Sequence, residues 1–252
     1  MSLTPSGQPT SQPAAQRAGQ PRVAGGLDVA FLTDGTEHCE LVLVRHGQQE
    51  MRIDPQVTPI GTIVDPPLSV IGRRQAELVG ERFANQRVDA VYASHLLRAH
   101  DTGAAIAGHH RLDVQIDPDL REIEVYRDLD PERALAEQIG RDRLAGLRER
   151  LIRDRSWDVY PHSESSAEFL RRTVNAIEAI AAMNFGRRVV VACHGGVINS
   201  YVGWMLSLTQ DMFFRPAHTS VNVVRAAAGG RRALFGLGDV AHLERAEGLV
   251  TY

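Results

Sequence analysis

The chain has 252 residues, 43% of them hydrophobic, and a formal net charge of -3. That length and apolar content suffice for one large α/β domain, or two small ones, with a substantial core, and the near-neutral charge supplies no general attraction to nucleic acid or to an acidic membrane surface. All 28 basic residues are arginine, so a phosphate loop of the GxxxxGK type, a Schiff-base lysine and a lysine general base are excluded.

Only two cysteines occur, Cys39 and Cys193, each at one end of an apolar run; they read as small core residues rather than a disulfide framework. No basic segment followed by an apolar stretch opens the chain, and no run reaches the ~18 apolar residues of a membrane span. A soluble, cytoplasmic protein is therefore expected.

Residues 1–26, rich in Ser, Pro, Gln, Gly and Ala, read as a disordered tail ahead of a single domain over 27–252. The run Leu41-Val42-Leu43-Val44 predicts a buried strand near 41–45 that ends in Arg45-His46-Gly47. Open α/β sheets bind ligands beyond the carboxyl ends of their strands, so a cation and an imidazole there suit a nucleophile facing an anion, and Gly47 lets backbone approach a ligand closely. Ala76, Val79 and Phe83 keep helical spacing over 69–85. A strand over 88–93 follows, then Ser94 as helix N-cap and a helix over 96–108.

Residues 112–116 predict a short strand. The Arg- and Glu-rich stretch 131–155 carries Leu144, Leu147 and Leu151 as its apolar stripe and interrupts the strand-helix rhythm, so 126–162 reads as a helical insertion or cap at the sheet's edge. Glu137/Arg141 and Glu149/Arg153 are expected as ordinary ion pairs on a solvated helix face. Ser165 with Glu168 makes a capping box for a helix near 166–184. A second buried strand over 188–193 ends in His194-Gly195-Gly196, repeating the first pattern, ahead of a helix from Val197 to Leu208. The runs SVNVVRAA and ALFGLG around Gly229-Gly230 read as a hairpin. The expected fold class is a three-layer α/β/α arrangement with a mainly parallel central sheet, an antiparallel edge and a helical insertion.

The segments LVLVRHGQQE, DPPLSVIGRRQA, YASHLLRAHDTG, LREIE, SESSAEFLRR and VVVACHGGVI follow one another as they do in the histidine phosphatase superfamily. The chain resembles its phosphoglycerate-mutase-like branch from residue 41 to about residue 200. The resemblance implies hydrolysis of a small-molecule phosphomonoester with no cofactor and no metal. In that scheme His46 is the nucleophile that becomes phosphohistidine, Arg45 and Arg98 hold the phosphate, and His194 donates a hydrogen bond to it. Glu122 protonates the departing alkoxide and then activates water, with Glu124 as the competing acid.

The chemistry of these groups agrees. An imidazole of ordinary pKa ~6.5 is pushed lower by neighbouring arginines and keeps a lone pair free. Guanidinium forks match phosphate oxygens, positioned cations supply most of the catalysis of phosphoryl transfer, and a carboxyl beside a phosphate dianion holds its proton for the leaving group.

Gly47, Gln49, Arg52 and Gly195 are the expected substrate contacts. Two of them depart from the family pattern, Gln49 standing where a hydroxyl residue is common and Arg52 where asparagine is common. The segment after Glu122, Ile123-Glu124-Val125-Tyr126, lacks the Tyr-Gly pair of the mutase form, which favours hydrolysis. A mutase-type phosphotransferase and a noncatalytic phospholigand-binding module are the alternatives. No nucleic acid or membrane partner is expected; a homodimer is compatible with the sequence without being specified by it.

Overall fold

The apolar runs around Leu41 and Val190 form the middle of a six-stranded sheet, covered on both faces. The computed structural model describes residues 26–33, 36–50, 54, 57–244 and 247–252; apart from Gly26, the segment read as a tail lies outside the described residues, as does Arg52. In chain order the elements are α1 (Gly26–Phe31), β1 (Cys39–Arg45), α2 (Ile60–Val64), α3 (Val70–Phe83), β2 (Ala90–Ala93), α4 (Leu97–Gly108) and β3 (Val114–Ile116). Then come α5 (Leu135–Ile139), α6 (Arg141–Asp154), α7 (Ser166–Met183), β4 (Arg188–Cys193), α8 (Gly195–Met205), β5 (Val221–Ala226) and β6 (Arg232–Asp239).

The sheet order is β3-β2-β4-β1-β5-β6. The first four strands in that order are mutually parallel, and β5 and β6 add the antiparallel edge. Strand alternation sets the layers. Leu41 and Leu43 pack with Phe169 and Ile177 of α7 and Ile198 and Tyr201 of α8 on one face, while Val42 and Val44 meet Val79 and Phe83 of α3 and Ile106 of α4 on the other. Burial on both faces explains why β1 reads as a continuous apolar run. Cys39 and Cys193 are buried free thiols. The expected three-layer α/β/α class is the one the chain adopts.

After β1 the chain crosses to α3 on one face, and after β4 to α8 on the opposite face. Because β1 and β4 are neighbours, a crevice opens between their carboxyl ends, where such sheets bind ligands.

The helix ends follow local chemistry. The Ser69 hydroxyl accepts from the Gly72 amide at 3.0 Å to start α3, and α7 has the full Ser165/Glu168 capping box; such caps contribute about 1 kcal/mol each. Ser94 does not cap α4, which starts at Leu97 with Leu96 in the cap position and no side-chain cap. The Ser94 hydroxyl instead accepts from the Leu96 amide at 3.3 Å, which spends it on the turn before the helix.

The arginine-rich stretch is two helices, α5 and α6, divided by Gly140 at φ +87°, a backbone region that favours glycine. That break separates Glu137 from Arg141. Glu137 pairs with Arg133 at 3.4 Å, and Arg153 with Asp154 at 2.6 Å, in place of the expected pairs. Ile60, Tyr126, Leu135, Ile139 and Leu147 form a satellite apolar cluster here. The segment departs and returns at one point, where the Arg127 amide donates to the His162 carbonyl at 2.8 Å and the Glu164 amide to the Glu124 carbonyl at 2.9 Å. Among the described residues, no helix is long and apolar enough to cross a membrane.

Candidate active site

Arg45 and Cys193 are partners in the β1/β4 register, so His46 and His194 emerge at adjacent strand ends with ring centroids 5.0 Å apart. His46 Nδ1 lies 2.7 Å from the Gly47 carbonyl oxygen. A carbonyl only accepts, so Nδ1 carries the proton and Nε2 keeps the lone pair. Arg98 Nε donates to that Nε2 at 3.3 Å, and the tautomer is fixed from both sides.

Gly47 also answers a packing constraint that its sequence position does not reveal. Its amide donates to Thr102 Oγ1 at 3.0 Å, its carbonyl holds His46, and a Cβ on it would lie 2.5 Å from the Gly72 carbonyl oxygen. Reciprocally, a Cβ on Gly72 would collide with the Gln48 carbonyl, so residues 46–48 are pressed onto the first turn of α3. Gln48 anchors them there, its amide donating to Gln75 Oε1 at 2.8 Å and its side-chain oxygen accepting from Ser69 Oγ at 2.9 Å. Gln49 forms an isolated antiparallel bridge with Leu68.

Arg98 is buried, with Nη1 at 3.3 Å from the Val64 carbonyl and 3.5 Å from Asp65 Oδ1. Arg45 donates to the Pro216 carbonyl, and burial holds its pKa down to about 10, which leaves it charged at neutral pH. Gly195 opens α8 beside it, its would-be Cβ 3.6 Å from Arg45 Nε. Glu122 reaches the same helix end. Its Oε2 accepts from the Gly196 amide at 3.1 Å and its Oε1 from the Ile123 amide at 3.1 Å; a Cβ on Gly196 would land on this carboxylate. Glu124 is drawn away, its Oε2 accepting from Arg121 at 3.0 Å.

The structure thus gathers Arg45, His46, Arg98, Glu122, His194 and Gly195, and adds two residues that sequence reasoning missed. His218 packs its ring 5.7 Å from that of His46, with Nδ1 2.8 Å from Thr251 Oγ1, the hydroxyl oxygen that also accepts from Gln75 Nε2 at 2.9 Å. It belongs to no motif, and only the β1/β5 pairing brings it in. Arg172 of α7 grips buried Glu164 with bonds of 2.8 and 2.6 Å and donates to the Asp119 and Arg121 carbonyls at 2.7 and 2.9 Å. It holds the backbone that carries Glu122. The available signal was an acid immediately before the Ser165 cap with an arginine two turns on.

Among the described residues, Arg45 Nε, both ring nitrogens of His194, His218 Nε2 and Ser220 Oγ are buried without a hydrogen-bond partner. Leaving such atoms unpaired costs about 1–3 kcal/mol each; gathered around His46, they mark a place shaped for a polar ligand.

Burial, reinforced for His46 by His194, Arg98 and Arg45, holds the pKa of His46 and His194 well below the ordinary 6.5. Burial likewise lowers His218 to about 3 and His242 to about 4. These imidazoles stay neutral when folded, whereas the unfolded chain protonates them below pH 6.5, so the unfolded state binds more protons and stability is lost as the pH is lowered. The urea midpoint is expected to decline steadily from pH 6.5 to pH 5, above the range in which most carboxylates titrate; an unchanged midpoint over that interval contradicts the buried-neutral assignment.

Residues 41–235 match the family model described as Histidine phosphatase superfamily (branch 1), and the chain belongs to that superfamily. It is 30% identical over 216 residues to Phosphoglycerate mutase-like protein 4 of Arabidopsis thaliana, covering 85% of this chain and 91% of that protein. It is 31% identical over 193 residues to the Metal-independent phosphoserine phosphatase of the same plant, covering 75% and 77% respectively. Among solved structures, Bacillus stearothermophilus YhfR shares the fold with a TM-score of 0.67 at 24% identity, over 82% of this chain and 100% of that one.

Proposed function

We propose that this protein hydrolyses small-molecule phosphomonoesters through a phosphohistidine on His46, without a metal. The observation that carries the reading is the His46 tautomer: the Gly47 carbonyl accepts a hydrogen bond from Nδ1–H, which leaves the Nε2 lone pair directed at Arg98, a phosphate-binding group. In the first step Nε2 attacks phosphorus, the P–O bond to the alcohol breaks, and Glu122 gives its proton to the departing oxygen. Arg45, Arg98 and a ring N–H of His194 hold the equatorial oxygens, where a loose transition state spreads its charge. Gly195, as the first residue of α8, offers its amide to the same group.

In the second step Glu122, now a carboxylate, takes a proton from water. The resulting hydroxide attacks phosphorus, the P–N bond breaks, and inorganic phosphate leaves with His46 neutral again. Glu122 lines two cavities, of about 390 and 780 Å³, so water reaches the carboxylate that would activate it. That access suits hydrolysis better than the retained phosphoryl group of a mutase, although one relative's name is mutase-like and another's is phosphatase. Ile60, Ile63 and Val64 line the smaller cavity together with Tyr126, Arg127 and Leu129, while Arg148, Leu151 and Trp157 line the larger, and these walls select the leaving group.

Release of inorganic phosphate from 4-nitrophenyl phosphate and from phosphoserine tests the reading. Stoichiometric phosphate is expected. A shifted phosphate on a recovered phosphoglycerate, with no inorganic phosphate released from any of these compounds, overturns it in favour of phosphotransfer.

A further inference from the structure

One buried imidazole, His218, has no part in the two-step scheme. It lies in the turn that leads into β5, and that turn is strained: Thr219, a β-branched residue, sits at φ +55°, a region such side chains avoid. The nucleophile's own strand holds it there, since the Thr219 amide donates to the Arg45 carbonyl at 3.0 Å and to the His46 carbonyl at 3.3 Å. Strain of this kind gathers at active sites and ligand clamps. Here it brings the His218 ring to 5.7 Å from the His46 ring, at 4% exposure.

The bonds on one edge of His218 fix which nitrogen carries its proton. Gln75 Oε1 accepts from the Gln48 amide at 2.8 Å, which orients the carboxamide, and Nε2 spends its two protons on the Leu249 carbonyl at 2.7 Å and on Thr251 Oγ1 at 2.9 Å. Among the described residues the Thr251 hydroxyl has one further partner, His218 Nδ1 at 2.8 Å. Having accepted from Gln75, it gives its own proton to that nitrogen, so Nδ1 is the acceptor and Nε2 carries the hydrogen. Burial, with the charge of Arg45, keeps the ring neutral. Its single N–H is buried with no acceptor. The guanidinium of neighbouring Arg45 only donates; what this cluster lacks is an acceptor, and a phosphoryl oxygen is one.

We infer that His218 is a further phosphate contact, its Nε2–H donating to a non-bridging oxygen of the phosphoryl group on its way to and from His46. The assignment rests on the reading of His46 as the phosphoryl acceptor. One line of hydrogen bonds, from Gln48 through Gln75 and Thr251 to His218, therefore runs from the nucleophile's loop back to the phosphate.

Two amides separate contact from packing. Glutamine can place an N–H where Nε2 stands, whereas asparagine reaches only the Nδ1 position and keeps a partner for Thr251. Calorimetric affinity for inorganic phosphate is expected to fall at least about tenfold in His218→Asn and to stay within about threefold of wild type in His218→Gln, the scale of a hydrogen bond to a charged group. The kcat/KM for 4-nitrophenyl phosphate should follow the same order. Nitrogen-15 NMR of the imidazoles reads the tautomer directly: His218 should carry its proton on Nε2, and that resonance should move when phosphate is added. Affinity unchanged in His218→Asn, equal losses in both variants, or a proton on Nδ1 overturns the inference. If His218→Asn does not fold, Thr251→Val keeps the ring and removes the bond that fixes it; weaker phosphate binding sustains the assignment and unchanged binding refutes it. The phosphatase reading fails separately: phosphate bound through His218 with none released from any ester removes hydrolysis and leaves the contact, whereas release undisturbed in His218→Asn removes the contact alone.

Discussion

Replacing His46 by alanine is expected to lower turnover of 4-nitrophenyl phosphate by at least about 10^4-fold, the scale on which removing a covalent nucleophile acts. The loss should fall on kcat. Arg45, Arg98 and the α8 amino terminus remain to bind phosphate, so affinity for inorganic phosphate should change by much less. The fold should survive, because the His46 amide keeps its bond to the Cys193 carbonyl at 2.9 Å, and removing the ring takes away a buried polar group whose bonds are confined to its own loop and Arg98. The measurement pairs steady-state kinetics with alkali-stopped trapping of labelled phosphate on the protein. A variant that still turns over, or a wild type that never holds base-stable, acid-labile phosphate, would falsify the covalent route.

The second large effect belongs to Glu122. Glu122→Gln preserves the shape and an acceptor for the Gly196 amide but removes the proton that is transferred, so a loss of about 10^2 to 10^4 in kcat is expected. The two substrate classes should separate. An alkyl phosphate, whose leaving oxygen needs a proton, should fail at the first step. An aryl phosphate, whose leaving group departs unaided, should complete that step and stall at the second, giving a burst of about one equivalent of phenolate and accumulated phosphoenzyme. If both substrates are slowed alike with no burst, Glu122 is not the shared acid and base. Glu124 is poorly placed to substitute, being held by Arg121 at 3.0 Å.

Much of this was legible in the sequence for identifiable reasons. Strands β1 and β4 are read correctly because burial on both faces leaves an unbroken apolar run, and α7 because Ser165 and Glu168 write its start into four residues. The two His-Gly pairs fall at the strand ends where a doubly wound sheet opens its crevice, so His46 and His194 could be placed together before any coordinates. Gly140 was visible as a helix breaker, yet the leucine stripe ran past it and concealed the division into α5 and α6. Gly47 was visible too, but its reason was not: what demands a missing side chain is Gly72, brought against it by the return of α3. His218 and Arg172 depend on distant pairings that leave no local period, and nothing in their neighbours announces that they end up buried.

The sheet's central register has a kinetic side. Glu40 pairs with Arg188, and Cys39 with Ala226, so the strand that presents His46 finds both its neighbours only after most of the intervening chain has been threaded into place. Contacts this remote in sequence are slow to form because loop closure must precede them. Helical hairpins and the insertion can assemble early from local contacts, while the meeting of the two imidazoles waits for the last strands to dock. A chain whose helices have formed before β1 and β4 pair therefore still holds the imidazoles of His46 and His194 apart, and the two rings meet only with the completed sheet.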